Sequence, residues 1–79
     1  MKTYTYRIII EPDGDEFHGY VPALKGCHTF GATIPEVQAN LKDAILVYME
    51  SLREDGLEIP TENSFESFQT ISFPIALSA

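Results

Sequence analysis

The chain has 79 residues, with 12 acids against 5 bases, a net charge of −7 and a single cysteine. One cysteine excludes an intrachain disulfide framework. The acidic balance argues against a domain that binds nucleic acid through Lys and Arg on phosphate, and no apolar run approaches the roughly 20 residues that span a bilayer.

Residues 1–79 read as a single domain with a thin core, which calls for a second copy or a partner over its apolar surface. The start, Met1 to Arg7, lacks the apolar centre of a signal peptide. With one free cysteine, the expected compartment is the cytoplasm.

Tyr4 to Glu11 alternates and is rich in β-branched and aromatic residues, which predicts a first strand. Pro12-Asp13-Gly14-Asp15 predicts a turn. Glu16 to Val21 is the returning strand, Pro22 to Gly26 a loop, and Cys27 to Phe30 a third short strand. If the turn closes on Glu11 and Glu16, Ile10 faces Phe17 and Ile8 faces Gly19. If the next loop closes on Val21 and Cys27, Tyr20 faces His28 and His18 faces Phe30. Paired residues share a side and neighbours along a strand alternate. One face then carries Tyr4, Tyr6, Ile8, Ile10, Phe17, Val21, Cys27 and Thr29. The other carries Arg7, Ile9, His18, Tyr20, His28 and Phe30.

Thr33-Ile34-Pro35-Glu36 predicts a capping box, with the Thr33 hydroxyl accepting from the Glu36 amide and Glu36 reaching back. Ile34, Val37, Leu41, Ala44, Ile45, Tyr48 and Leu52 form one apolar stripe at helical spacing. Gly56 suits the residue just past the helix end, so the predicted helix runs from Ile34 to about Asp55, roughly six turns. Leu46 and Val47 lie off the stripe, which implies a second contact or a wider core. Leu57 to Phe65 reads as a loop. Phe68 to Ala76 reads as a last strand with Ile71, Phe73 and Ile75 on one side, kept to a sheet edge by Pro74. The order β-β-β-α-β gives an α+β fold, a four-stranded sheet with one long helix on one face.

The run Pro22-Ala23-Leu24-Lys25-Gly26-Cys27-His28-Thr29-Phe30-Gly31-Ala32-Thr33 leads into a helix with Gln38-Ala39-Asn40-Leu41-Lys42-Asp43-Ala44-Ile45 in its middle. Glu54-Asp55-Gly56-Leu57-Glu58-Ile59-Pro60 follows. In this order and spacing the segments resemble the HicB-like antitoxins, the small partners of HicA toxins. The resemblance implies a pared-down RNase H-like arrangement, with a mixed sheet whose last strand runs parallel beside the first. It also implies binding to a small basic toxin that cleaves mRNA, with the catalytic histidine on the toxin. Many HicB proteins carry a C-terminal DNA-binding domain. The sequence ends at Ala79, just past the last predicted strand, so it resembles a short form for which direct repression of its operon is not expected.

The RNase H resemblance raises a nuclease reading, which needs several carboxylates converging on Mg²⁺. The first strand offers only Glu11 at its end, Asp13, Asp15 and Glu16 cluster in a turn, and Glu36, Asp43 and Glu50 lie off the helix stripe. Zinc needs four ligands, and Cys27 and His28 are adjacent on a strand, so they point to opposite faces and cannot readily pair as nucleophile and base. No catalytic, metal or cofactor site is expected. Arg7, Ile9, His18, Tyr20, His28 and Phe30 are the expected contact patch, because clustered apolar and aromatic residues on a small domain mark a partner. Glu54, Asp55, Glu58, Glu62 and Glu66 follow with no base after Arg53. They read as a solvated stretch or as an electrostatic guide for a basic toxin. The expected function is an antitoxin, with a homo-oligomer, a dimer, as the expected assembly. A stand-alone interaction module is the alternative and a residual RNase H-like nuclease the third reading.

Overall fold

A computed structural model describes residues 1–76. Its elements are β1 (Ile9–Asp13), β2 (Glu16–Tyr20), β3 (His28–Gly31) and one helix, α1 (Ile34–Glu54). The three strands form an antiparallel sheet in the order β1-β2-β3. The helix lies across one face, as expected for an α+β layer pair.

The first hairpin is tighter than the sequence suggested. Asp13 pairs with Glu16, Pro12 with Phe17 and Ile10 with Gly19. The loop is Gly14-Asp15 alone, with Gly14 at φ 62°. A two-residue loop that opens on a left-handed glycine matches the strand twist, and it wins over the wider Pro12–Asp15 turn. The register moves by two residues, so no side chain changes face. β1 also starts late, at Ile9 rather than Tyr4. Continuing its register would set Arg7 opposite Pro22, which has no N–H to give.

The second hairpin has the expected pairing, with Tyr20 opposite His28 and His18 opposite Phe30. Its loop is braced by hydrogen bonds from Leu24 N to Val21 O and from Cys27 N to Leu24 O. These tuck the Leu24 side chain inward until it is fully buried. The sequence reading left Leu24 in a surface loop.

The core is Val21, Leu24, Cys27, Val37 and Leu41, with Tyr6, Ile8, Ile10, Phe17, Ala44, Ile45 and Tyr48 packed around it. The helix comes close to the sheet because Gly19 and Gly31 have no side chain there. A Cβ at Gly19 would collide with Val37 Cγ1 and lie 2.9 Å from Leu41 Cδ1. At Gly31 it would meet the Val37 backbone nitrogen at 3.0 Å. Asn40 Nδ2 donates to the Phe30 carbonyl at 2.9 Å and the Tyr48 hydroxyl to the Lys25 carbonyl at 2.9 Å. Those two bonds fasten α1 to β3 and to the loop before it.

The helix starts as predicted, with Thr33 Oγ1 accepting from the Glu36 amide at 3.2 Å. Its end is a Schellman motif. Leu57 N donates to Leu52 O, Gly56 N donates to Arg53 O, and Gly56 sits at φ 69°. Ile34, expected in the apolar stripe, lies on the exposed side. Leu46 and Val47 are also exposed, so the core is not wider than the main stripe and the helix carries a second apolar surface.

The fourth strand is where expectation fails. Residues 68–76 form no strand among the described residues, and the sheet is antiparallel throughout rather than mixed. The reason lies at Arg7. Its backbone N–H, which a strand beside residues 4–8 would use, donates instead to Glu62 Oε1 at 2.9 Å. Arg7 Nη1 also holds Glu66 at 3.1 Å and the Tyr6 hydroxyl donates to the Pro60 carbonyl. Residues 60–66 are thus bound by their side chains and carbonyls. The chain beyond them leaves the body, giving extents of 66 × 30 × 20 Å.

Candidate functional site

Two surfaces stand out, and both are built from groups the core does not use. The first is the sheet face opposite the helix. Alternation puts His18 and Tyr20 of β2 on that face, and pairing brings Phe30 and His28 of β3 beside them. The rings form one patch. His18 lies 4.7 Å from Phe30, 5.2 Å from His28 and 5.7 Å from Tyr20 between ring centroids. His18 Nε2 and His28 Nδ1 are 3.2 Å apart, so one proton bridges the two neutral imidazoles. Ile9 lies opposite Tyr20 and Glu11 opposite His18. The patch therefore runs into the acidic hairpin Glu11, Asp13, Asp15 and Glu16, all four exposed.

Five of the six residues expected in the contact patch come together here: Ile9, His18, Tyr20, His28 and Phe30. Arg7 stands apart. Its guanidinium and amide are engaged by Glu66 and Glu62, and its buried Nε takes no partner among the described residues.

Cys27 points the other way, into the core at 5% exposure. Burial pushes its thiol pKa up, which disfavours the reactive thiolate. Among the described residues, no group of three or more His, Cys, Asp or Glu side chains is arranged to hold a metal ion. No helix among them is long and apolar enough to cross a membrane.

The second surface is the carboxy-terminal segment. Phe65 and Phe68 are each 90% exposed, and Ile71, Phe73 and Ile75 are 73%, 78% and 78% exposed. Its base is polar. Glu62 has its carboxyl pKa lowered, first by the Arg7 backbone N–H and then by the Ser64 hydroxyl. Tyr6 has its phenol pKa raised, chiefly by burial, with Tyr4 and Glu62 adding to it. The link from Arg7 to Glu62 and Glu66 was not legible in the sequence, because the partners lie 55 and 59 residues apart. Only the absence of any base after Arg53 hinted that these acids would seek a cation elsewhere.

Comparison with known proteins follows the same line. The model of a family described as HicB-like antitoxin of bacterial toxin-antitoxin system matches residues 6–72. A UPF0150 protein of Thermoplasma acidophilum is 44% identical over 62 residues, covering 77% of this chain and 90% of that protein. A UPF0150 protein of Synechocystis is 38% identical over 63 residues, covering 78% and 80%. A chain of the solved HicA3 and HicB3 toxin-antitoxin complex superposes with a TM-score of 0.62 at 33% identity. That match covers 70% of this chain and 64% of the other, under two thirds of its length.

Proposed function

The chain belongs to the HicB-like antitoxin family, and on that premise we propose that it is an antitoxin that binds and neutralises a small, basic, HicA-like toxin. The observation that carries this reading is the likeness to a chain of a HicA and HicB toxin-antitoxin complex, at 33% identity. The net charge of −7 suits a partner whose own surface is built for RNA phosphate. The role is recognition rather than catalysis.

The contact is the open sheet face. Aromatic side chains supply large contact area and are enriched at interface centres. Tyr20 and Phe30 are the anchors, with His18, His28 and Ile9 around them and Arg7 holding the adjoining edge in place. The hairpin acids beside the patch steer the encounter with a cationic surface, so the association rate falls as salt rises. The antitoxin acts by covering the toxin's RNA surface, in the cytoplasm, without contacting nucleic acid itself.

Co-expression with the small basic protein encoded by an adjacent gene tests this directly. Rescue of growth and co-purification are expected, and both are lost with Tyr20→Ala and Phe30→Ala. No rescue and no complex at micromolar concentration would leave an interaction module with another partner.

A further inference from the structure

The carboxy-terminal segment has the composition of a strand and none of a strand's partners. Phe68, Ile71, Phe73 and Ile75 stand in solvent on a chain whose core is small, and an exposed apolar stretch of this size is unusual without an occupant. The same protein carries a matching vacancy. Residues 4–8 extend β1 but pair with no strand among the described residues. Beside them an open groove of about 420 Å³ runs along α1, lined by Tyr4, Tyr6, Ile8, Ile45, Leu46 and Met49.

We infer that two copies of this chain exchange these segments, each laying residues 68–76 along residues 4–8 of the other and into the groove beside α1. Three observations select a second copy as the occupant. The tether from Arg7 to Glu62 and Glu66 sends the segment out of its own body, so the groove of its own chain stays empty. Ile71, Phe73 and Ile75 alternate, which points all three to one side of an added strand and into an apolar groove. Pro74 lacks an N–H, so the segment pairs along one side only, which suits an edge.

The exchange is reciprocal, so it closes as a two-fold dimer and leaves no free segment to recruit further copies. The size is sufficient. Phe65, Phe68, Ile71, Phe73 and Ile75 from both segments bury on the order of 1,500 Å² of apolar surface, within the range of a stable interface of roughly 1,200–2,000 Å². The aromatic sheet face lies on the other side of the sheet and is left free.

Light scattering on the purified chain at high micromolar concentration is the test, and it uses no toxin, so its outcome is separate from the antitoxin reading. The wild type is expected at twice the 8.8 kDa chain mass. Ile71→Asp with Phe73→Asp is expected at the single-chain mass, with helical circular dichroism unchanged because both side chains are outside the folded body. From the other side of the contact, Leu46→Asp, at an exposed groove position, is expected to give the same monomer. Tyr20→Ala and Phe30→Ala are expected to stay dimeric. A monomeric wild type would overturn the exchange, whether the segment is free or folds onto its own groove. So would a dimer that survives Ile71→Asp with Phe73→Asp.

Discussion

The folded body, residues 9–56, and the segment beyond Pro60 are both rich in large apolar residues, yet they meet opposite fates. In the body each apolar run finds cover inside the same chain. Val21, Cys27, Val37 and Leu41 interlock because Gly19 and Gly31 let the helix approach the sheet, and Leu24 is folded in by its own loop. In the segment the apolar residues stay in solvent, held away by polar bonds at Arg7. Apolar composition alone therefore does not decide burial in a small domain. What decides it is whether a complementary surface lies within reach of the chain.

The sharpest way to break this contrast is to remove core volume on one side and segment volume on the other. Leu41→Ala is expected to cost about 2–5 kcal/mol in urea unfolding, as buried leucines do. Phe68→Ala is expected to change the stability of the isolated body by less than about 0.5 kcal/mol. Gly19→Ala is expected to cost about 1–3 kcal/mol, because the new Cβ collides with Val37 and pushes the helix off the sheet. Should Gly19→Ala leave the unfolding midpoint unchanged, the close approach of helix and sheet would not be a source of stability. Thr33→Ala removes the helix cap and is expected to cost about 1 kcal/mol.

The smallest effect belongs to the tether. Glu62 has a lowered carboxyl pKa in the folded protein. Its contribution is therefore present above the ordinary carboxylate pKa and is lost as the pH falls through the lowered folded value. The Arg7 amide resonance should shift over that acidic window, and Glu62→Gln should abolish the shift while leaving the helix and sheet intact.

Much of the body was legible in the sequence, for physical reasons. Thr33, Pro35 and Gly56 mark the helix ends through local chemistry, and the i, i+4 spacing of Val37, Leu41 and Ile45 sets its buried side. The strict alternation of strands placed His18, Tyr20, His28 and Phe30 on one face even though the first hairpin slipped by two residues. What was not legible depends on distant partners. Leu24 looked like a loop residue because its burial comes from the fold of the loop. Gly19 looked like a strand residue because its role is to admit Val37. The last strand was placed in the sheet on its alternation alone, but alternation describes how a segment would pair, not whether its partner edge is free. Arg7 gives that edge to Glu62 and so decides the matter.

The division of labour, with toxin recognition on the body and self-association on the segment, meets its most direct test in one pull-down. The toxin encoded beside this gene is co-expressed with the wild type, with Ile71→Asp plus Phe73→Asp, and with Tyr20→Ala plus Phe30→Ala. The segment variant is expected to retain the toxin and the sheet-face variant to lose it while still folded. Retention of the toxin by the sheet-face variant, or its loss from the segment variant, would contradict the assignment of recognition to the open sheet face.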